Sequence, residues 1–417
     1  MLRAFVDRKN SSTSVVLENK DYKENMNHAI CYLRRLLRFI GVWSLVKKNR
    51  ERRDIVIAVL LIILATLLPS FVMVPCILHA LLREQNPNKK MKLLAPIGLR
   101  AANCVKYYAM LNRLDALKFC FKQVETDWMT VSTLADRQIM RKKAILGRRI
   151  TILCIMVFYT STLSYNAILP IWRGSKINEF NKTIRPVVYP GYDIFVDPQA
   201  SPTYEIIFCT TVFAACSTYT VISGSCSLAA TFVTHACGQI EIIISRLKTI
   251  FDNLQGNDHR LLNDRISFIV RRHVRVLSMT EKIEELLKEI CLLEVVSSTL
   301  IMCLLGYYFM MEWENADIAA MFPYFLVLFS LSLNVFVFCQ IGEILTEQCA
   351  EIGKAVYMID WYDMPGKTGL ALILVIAMAN IPRKLTAGGM IDLSVASFGA
   401  IIKTSAVYFN MLRAMDE

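Results

Sequence analysis

Long uncharged, apolar stretches alternate with short charged segments along the chain. Asp, Glu, Lys and Arg are absent from four stretches long enough to cross a bilayer as helices, at 55–82, 150–172, 206–240 and 318–342. A membrane-spanning helix needs about 20 mostly apolar residues. A shorter uncharged stretch at 295–311 continues a helical pattern that begins upstream of it. The apolar pattern alone therefore predicts five membrane-spanning helices.

A sixth, more polar stretch lies at 91–117, between the first two strong spans. Apart from Lys92 at its edge, it contains four charged residues: Arg100, Lys106, Arg113 and Asp115. Charged side chains inside a bilayer must face protein or water, because lipid cannot solvate them. We predict that 91–117 is the second span, with its polar residues turned toward the other helices. Without it, the later basic loops would fall on the wrong side of the membrane.

The C-terminal region predicts a discontinuous last element. The apolar stretch 368–381 is too short to span and is followed by a break at Pro382 and at Gly388-Gly389. A second helix is predicted for 390–415, with Asp392 and Lys403 embedded in it. The chain is thus predicted to be all-α, with seven membrane-spanning helices and an interrupted last one.

Composition agrees with a membrane protein and excludes several other classes. Of 417 residues, 55% are hydrophobic and 20% charged, with a mean hydropathy of +0.41. The net charge of +12 comes from Lys and Arg that flank the apolar stretches, a pattern typical of topology determinants in contact with lipid rather than of nucleic-acid binding. The 13 cysteines lie mostly in apolar stretches, so no disulfide framework is expected. We find no metal-ligand spacing and no catalytic motif, and we expect neither enzyme activity nor a cofactor.

The positive-inside rule predicts a cytoplasmic N-terminus and, with seven spans, an extracellular C-terminus. The predicted regions are a cytoplasmic N-terminal segment (1–53), six spans with cytoplasmic extensions (54–342), cytoplasmic anchor helices (343–389) and the last span with its tail (390–417). Asn181 begins a glycosylation sequon in the longest predicted outer loop.

An amphipathic helical pattern runs through 266–290, ahead of the fifth strong stretch. Its apolar side could pack within one protomer as a solvated stalk, or it could form an oligomer contact, which we favour. His235, on the stretch 206–240, is expected to be a packed core or helix-end residue rather than a ligand.

The C-terminal third resembles the insect odorant-receptor family. The resemblance rests on the runs 349–357, 360–365 and 381–389. It also rests on the triplet Lys403-Thr404-Ser405 and the pair Tyr408-Phe409 in the tail. Upstream, Asp127-Trp128 and the segment through Gly147-Arg148 are similar to a cytoplasmic loop of the family. The short second cytoplasmic loop resembles a ligand-tuned subunit rather than the shared co-receptor. The tail lacks the Gln-Phe ending of gustatory receptors, and Asn-Pro-x-x-Tyr of G-protein-coupled receptors is absent.

This resemblance implies a tetrameric, odorant-gated, non-selective cation channel. It implies that four subunits meet at cytoplasmic anchor helices, and that a central pore is lined by the last helix of each. A tuning subunit of this family would assemble with the co-receptor in the plasma membrane of olfactory sensory neurons and bind a small apolar volatile ligand.

The last predicted helix has a face suited to such a pore. Residues within about 40° of that face, at 100° per residue, are small or polar at one end and bulky at the other: Leu393, Ser397, Ala400, Thr404, Met411 and Met415. By alignment through Tyr408-Phe409, the resemblance makes Met411 and Met415 the gate.

The resemblance also implies an odorant site between the second, third, fourth and sixth spans, in their outer halves. Judged by depth alone, the candidates are Ala101, Cys104, Tyr159, Leu163, Phe208, Val212, Tyr324 and Phe325. Two other functions stay open: a seven-span receptor that signals through a soluble partner, and a transporter that uses the broken last helix with Asp392 and Lys403.

Overall fold

The computed structural model of this chain is almost entirely helical. It describes residues 19, 21–47, 49–131, 133–174, 176–177, 183–252, 259–314, 318–360, 364, 368–381 and 383–414. Within these ranges, six helices are long and apolar enough to cross a membrane.

The elements follow one another in this order: α1 (Tyr22–Phe39), α2 (Val42–Val46), α3 (Arg52–Leu82), α4 (Pro87–Asn112), α5 (Leu114–Thr130), α6 (Leu134–Leu163), a π-helical turn (Ser164–Ile168), α7 (Leu169–Arg173), β1 (Lys176–Ile177), β2 (Thr183–Ile184), a short 3-10 turn (Tyr192–Ile194), α8 (Thr203–Lys248), α9 (His259–Glu314), α10 (Ile318–Tyr357), α11 (Thr368–Ala379), β3 (Thr386–Ala387), β4 (Ile391–Asp392) and α12 (Val395–Ala414). The strands form two antiparallel pairs, β1 with β2 and β3 with β4.

The predicted second span is helix α4, which has 26 residues. Two of its charged side chains turn inward as expected, since Arg100 is 4% exposed and Lys106 is 2% exposed, whereas Lys92 near the start of the helix is exposed. The helix ends at Asn112, so Arg113 lies outside it and forms an ion pair with Glu289 of α9. The sequence pattern did not predict this break, after which α5 begins.

Helix α8 forms the centre of the bundle. Every residue from Thr218 to Ile240 is buried, on all sides of the helix. Many of these residues are Ala, Ser, Gly or Thr, whose small side chains allow neighbouring helices to approach closely. The stretch looks like an ordinary lipid-facing span in the sequence, but it is enclosed by α1, α3, α4, α6, α9 and α10.

The C-terminal break contains a β-hairpin, and the last helix begins at Val395 rather than at 390. Gly388 and Gly389 have φ angles of 65° and 76°, a left-handed conformation that turns the chain between β3 and β4. Asp392 therefore lies on β4 and forms an ion pair with Lys384 across the hairpin. This placement removes Asp392 from the broken membrane helix on which the transporter alternative depended.

Helix α9 has 56 residues, about 84 Å at 1.5 Å per residue, and so extends well beyond a bilayer core of about 30 Å. The apolar residues of its amphipathic part are buried within the same chain, among them Ile266, Ile269, Ile283 and Leu286. Our preferred interpretation, an oligomer contact through this apolar face, is wrong, because the face packs inside one protomer.

His273 on this extension gives a pH-dependent contribution to stability. Burial, together with the nearby Arg383 guanidinium, lowers the pKa of His273 to about 4. An unfolded histidine has a pKa of about 6.5, so below that pH the unfolded chain binds a proton that the folded chain excludes. The contribution of His273 to stability therefore falls progressively as the pH drops from about 6.5 to about 4.

We expect His273→Gln to reduce the acid sensitivity of the detergent-solubilised protein. The difference between wild type and variant should reach about 1 kcal/mol on going from about pH 7.5 to about pH 5.5. His259→Gln, at the exposed first residue of α9, is the matched control. Identical pH profiles for wild type and His273→Gln would show that His273 is not excluded from protonation in the folded protein.

Candidate ligand site and pore-facing helix

A cavity lies among α4, α6 with its π-helical turn, α8, α9 and α10. The cavity volume open to the centre of a water molecule is about 50 Å³. This is several times the roughly 10–15 Å³ that one water molecule requires by the same measure. The side chains around it are mostly apolar or aromatic, with a small polar group at one side: Ala95, Pro96, Leu99, Arg100, Thr162, Tyr165, Asn166, Tyr189, Ala215, Thr218, Tyr219, Ile301, Leu305 and Val327. Small-molecule sites in proteins have this composition.

The polar side of the cavity is built from Arg100, Tyr189 and Asn166. The Arg100 guanidinium carbon lies 4.4 Å from the centroid of the Tyr189 ring. The Tyr189 hydroxyl donates a hydrogen bond to Asn166 Oδ1 at 3.0 Å, and Asn166 Nδ2 donates to the Thr162 carbonyl at 2.9 Å. These contacts fix the position of the tyrosine ring above the arginine.

Two backbone features bring these groups together. Tyr165 and Asn166 lie on the π-helical turn, a distortion that is frequent at functional sites because it redirects side chains. Tyr189 belongs to the segment before α8, which folds back onto α3. Gly191 in that segment has a φ of 102°, and a Cβ there would lie 2.2 Å from the Pro75 carbonyl oxygen. Only glycine allows this approach, which buries Tyr189 and Tyr192.

None of the eight residues that we predicted for ligand binding lines this cavity, although all eight are described. Three lie on helices that line the cavity, near a lining residue in sequence: Ala101 follows Arg100, Cys104 lies one helical turn beyond Arg100, and Leu163 follows Thr162. Tyr159 instead bonds Thr220 at 2.6 Å, and Phe208 stacks on Tyr204. Phe325 is 50% exposed.

Tyr324 and Val212 complete the set. Tyr324 contacts the cavity indirectly, edge to face with Tyr165 at 5.7 Å between ring centroids. Val212 is half-buried on α8, three residues before the lining residue Ala215. The predicted residues and the cavity share the same helices but differ in rotation about the helix axis, because one residue along a helix turns a side chain by about 100°.

Helix α12 packs on α9 and α10 through a single stripe. Phe398 contacts Phe336 at 5.3 Å between ring centroids, and Ser405 Oγ donates to the Thr299 carbonyl at 3.4 Å. A Cβ at Gly306 would lie 3.6 Å from the Phe409 ring. Outside this stripe the helix is exposed, and only 11% of the 18 residues of its most apolar part are buried.

The residues that we predicted for the pore divide between these two environments. Thr404 and Met411 are exposed, with Met411 at 60%, and Ser397 is half-buried. Leu393 precedes the helix and is 2% exposed, so the argument from a shared helical face does not extend to it. Met415 and the sequon residue Asn181 lie outside the described residues.

Two contacts, one to a carboxylate and one to a hydroxyl, hold the start of α12, and a third holds the hairpin before it. The Val395 backbone N–H donates to the Glu343 carboxylate at 3.0 Å, and the Ser397 N–H donates to Ser394 Oγ at 3.1 Å. These contacts satisfy N–H groups that have no partner within the helix. The Thr386 N–H of the hairpin donates to Glu284 of α9 at 3.0 Å.

His235 is a packed core residue, as expected. Its Nε2 lies 3.0 Å from the Asp127 carboxylate, which is itself 2% exposed and also 3.3 Å from Arg275. Asp127 therefore joins α5, α8 and α9 beneath the bundle.

Comparison with known proteins decides the family. The family described as 7tm Odorant receptor matches residues 86–406, most of the chain. The chain belongs to the insect odorant-receptor family. It is 23% identical to odorant receptor 10 of Aedes albopictus over 55% of this chain and 60% of that protein. It is 24% identical to odorant receptor Or2 of Anopheles gambiae over 74% of this chain and 82% of that protein.

The match to odorant receptor 13a of Drosophila melanogaster covers 64% of that protein at 23% identity, so the chain spans less than two thirds of two of these odorant receptors. Its fold is that of a solved family structure. Olfactory receptor OR5 from Machilis hrabei, in complex with eugenol, has a TM-score of 0.74 and 13% identity, covering 95% of this chain and all of that one. The chain thus shares its family with multi-pass odorant receptors and its fold with a solved olfactory receptor.

Proposed function

We propose that this odorant receptor is a subunit of an odorant-gated, non-selective cation channel in the plasma membrane of olfactory sensory neurons. The cavity beside Arg100 and Tyr189 binds the volatile ligand, and α12 lines a central pore shared by four subunits. The co-receptor supplies the other subunits. The N-terminus lies inside the cell, the C-terminus outside, and residues 343–389 form the cytoplasmic anchor.

The exposed surface of α12 carries this proposal. Lys403 lies near the middle of this 20-residue helix and is exposed, as is the neighbouring Thr404. A lysine at that depth is costly in lipid and requires water or a protein partner. A water-filled pore between copies of α12 provides that environment without any further element.

Helix α9 supplies a direct physical connection between ligand and pore. Ile301 and Leu305 line the cavity, while the Thr299 carbonyl and Gly306 contact α12. A ligand that pushes these side chains apart shifts the packing surface of α12 within the same two turns. A ligand changes gating only to the extent that it binds the open arrangement more tightly than the closed one.

Whole-cell recording tests the function. The chain is expressed alone and with the family's co-receptor, and a broad volatile panel is applied while G-protein signalling is blocked. We expect a fast cation current from the pair only. If the response disappears when G-protein signalling is blocked, in cells whose surface labelling is normal, the chain is a metabotropic receptor and not a channel subunit.

The gate has its own test. We expect Met411→Ala combined with Met415→Ala to increase basal current, because shorter side chains at a constriction let it wet more readily. Met390→Ala, at an 82% exposed position on the hairpin turn, is the control. Unchanged basal current and cation permeability in the double variant, at equal surface expression, would place the gate elsewhere.

A further inference from the structure

Arg100 is a buried cation without a carboxylate partner. It is 4% exposed, and no Asp or Glu of the described residues forms an ion pair with it. Its described contacts are the face of Tyr189 and the Pro96 carbonyl of its own helix, to which Nη1 donates at 3.1 Å. Lys106, two turns along the same helix, has a direct partner in Glu294 at 2.7 Å. The two buried cations of α4 therefore differ, because Lys106 has a carboxylate partner and Arg100 has none among the described residues.

The guanidinium retains unused hydrogen-bonding capacity next to empty space. Arginine has five N–H donors, and the buried Arg100 Nε has no hydrogen-bond partner. Arg100 also lines the cavity. A buried donor without a partner is costly, and a buried charge without a counter-charge more so, unless something else supplies them. The Tyr189 ring offsets part of this cost through its π face, but a neutral phenol supplies no counter-charge.

The rest of the cavity suits an aliphatic chain. Leu99, Ala215, Ile301, Leu305 and Val327 present hydrocarbon. Planar guanidinium groups bind carboxylates through two parallel hydrogen bonds. We propose that the ligand of this receptor is a volatile carboxylic acid bound as its carboxylate, with Arg100 as counter-ion and the aliphatic tail among these apolar side chains. The inference rests on the proposed ligand-gated function of the same cavity.

The test compares matched ligands on the receptor co-expressed with the co-receptor. The probes are butanoic, hexanoic and octanoic acids, each with its alcohol and methyl ester. We expect at least one acid to activate with a potency at least about tenfold higher than its alcohol or ester, the preference that a charge-assisted pair provides. Arg100→Met should abolish that preference while responses to the ester persist or increase, since methionine removes the charge and keeps an apolar chain.

Further variants separate the possible causes. Arg100→Lys should leave an intermediate potency, because lysine keeps the charge but not the paired geometry. Arg141→Met, at an exposed position of α6, should leave the ligand ranking unchanged. If Arg100→Met fails to reach the cell surface, the acid-to-ester ratio of the wild type and of Arg100→Lys decides.

The outcomes distinguish this inference from the proposed function. Strong activation by neutral odorants, with acids inactive and Arg100→Met without effect on ranking, overturns the carboxylate inference and leaves the channel function intact. The absence of any current from the surface-expressed pair, over the acids and a broad volatile panel, counts against the proposed function itself.

Discussion

Lys106→Met is expected to destabilise the folded protein by about 3–5 kcal/mol, because it leaves the Glu294 carboxylate buried without its counter-charge. The Lys106 Nζ and Glu294 Oε2 atoms lie 2.7 Å apart, and both side chains are 2% exposed. Ser298 Oγ donates to the other carboxylate oxygen at 2.7 Å. This pair joins α4 to α9 below the cavity that both helices line.

The double variant Lys106→Met with Glu294→Met should recover most of this loss, since replacing both partners with apolar side chains of similar length is often neutral. Lys118→Met provides the control, because Lys118 pairs with the fully exposed Asp115 and should change stability by less than about 1 kcal/mol. Thermal unfolding in detergent and surface labelling measure both effects. A single variant as stable as the control would show that the pair is not buried in the assembled protein.

Gly342→Ala is expected to cost about 1–3 kcal/mol of stability and to reduce the ligand-evoked current per surface receptor. A Cβ at position 342 would lie 2.6 Å from the Leu393 carbonyl oxygen and 2.7 Å from Leu393 Cβ. The Leu393 backbone is held in turn by its N–H, which donates to the Leu385 carbonyl at 2.9 Å. The added methyl group must therefore displace the hairpin together with the start of α12.

Gly98→Ala on α4 is the matched control, because a Cβ there meets no atom within 4 Å. It exchanges the same residue types within a helix and should be neutral or slightly stabilising. Recordings from cells with equal surface labelling separate gating from trafficking. If Gly342→Ala behaved like Gly98→Ala, the contact between α10 and Leu393 would not exist in the folded protein at the cell surface.

The sequence was most informative where a single physical rule dominated. Uncharged length predicted the strong spans, and the cost of charge in lipid correctly predicted that Arg100 and Lys106 face protein. The same rule could have singled out Arg100 as a candidate site residue, since a charge retained inside a span is by default a functional hypothesis. The contact between Arg100 and Tyr189 could not be predicted from the sequence, because Tyr189 lies on a loop whose fold depends on a close approach to Pro75.

The sequence did not predict how each helix is rotated about its own axis, nor the short turns between elements. Apolar stretches such as 206–240 have no polar face to orient them, so periodicity could not tell the central helix from a lipid-facing one. The hairpin before α12 depends on left-handed glycines and on contacts from Glu284 and Glu343. Both glutamates are more than 40 positions away from the backbone groups that they bind, so no local sequence pattern of about 11–18 residues includes both partners.

The exposed Lys403 also affects how long an unassembled protomer persists in the cell. If the receptor assembles as proposed, a newly made protomer that has not yet met its partners presents a charged side chain and a largely exposed helix to the bilayer. Such a chain is marginally inserted and open to recognition by the machinery that removes orphan membrane subunits. The abundance of the assembled receptor would then follow the supply of the proposed partner subunits rather than the rate of its own synthesis.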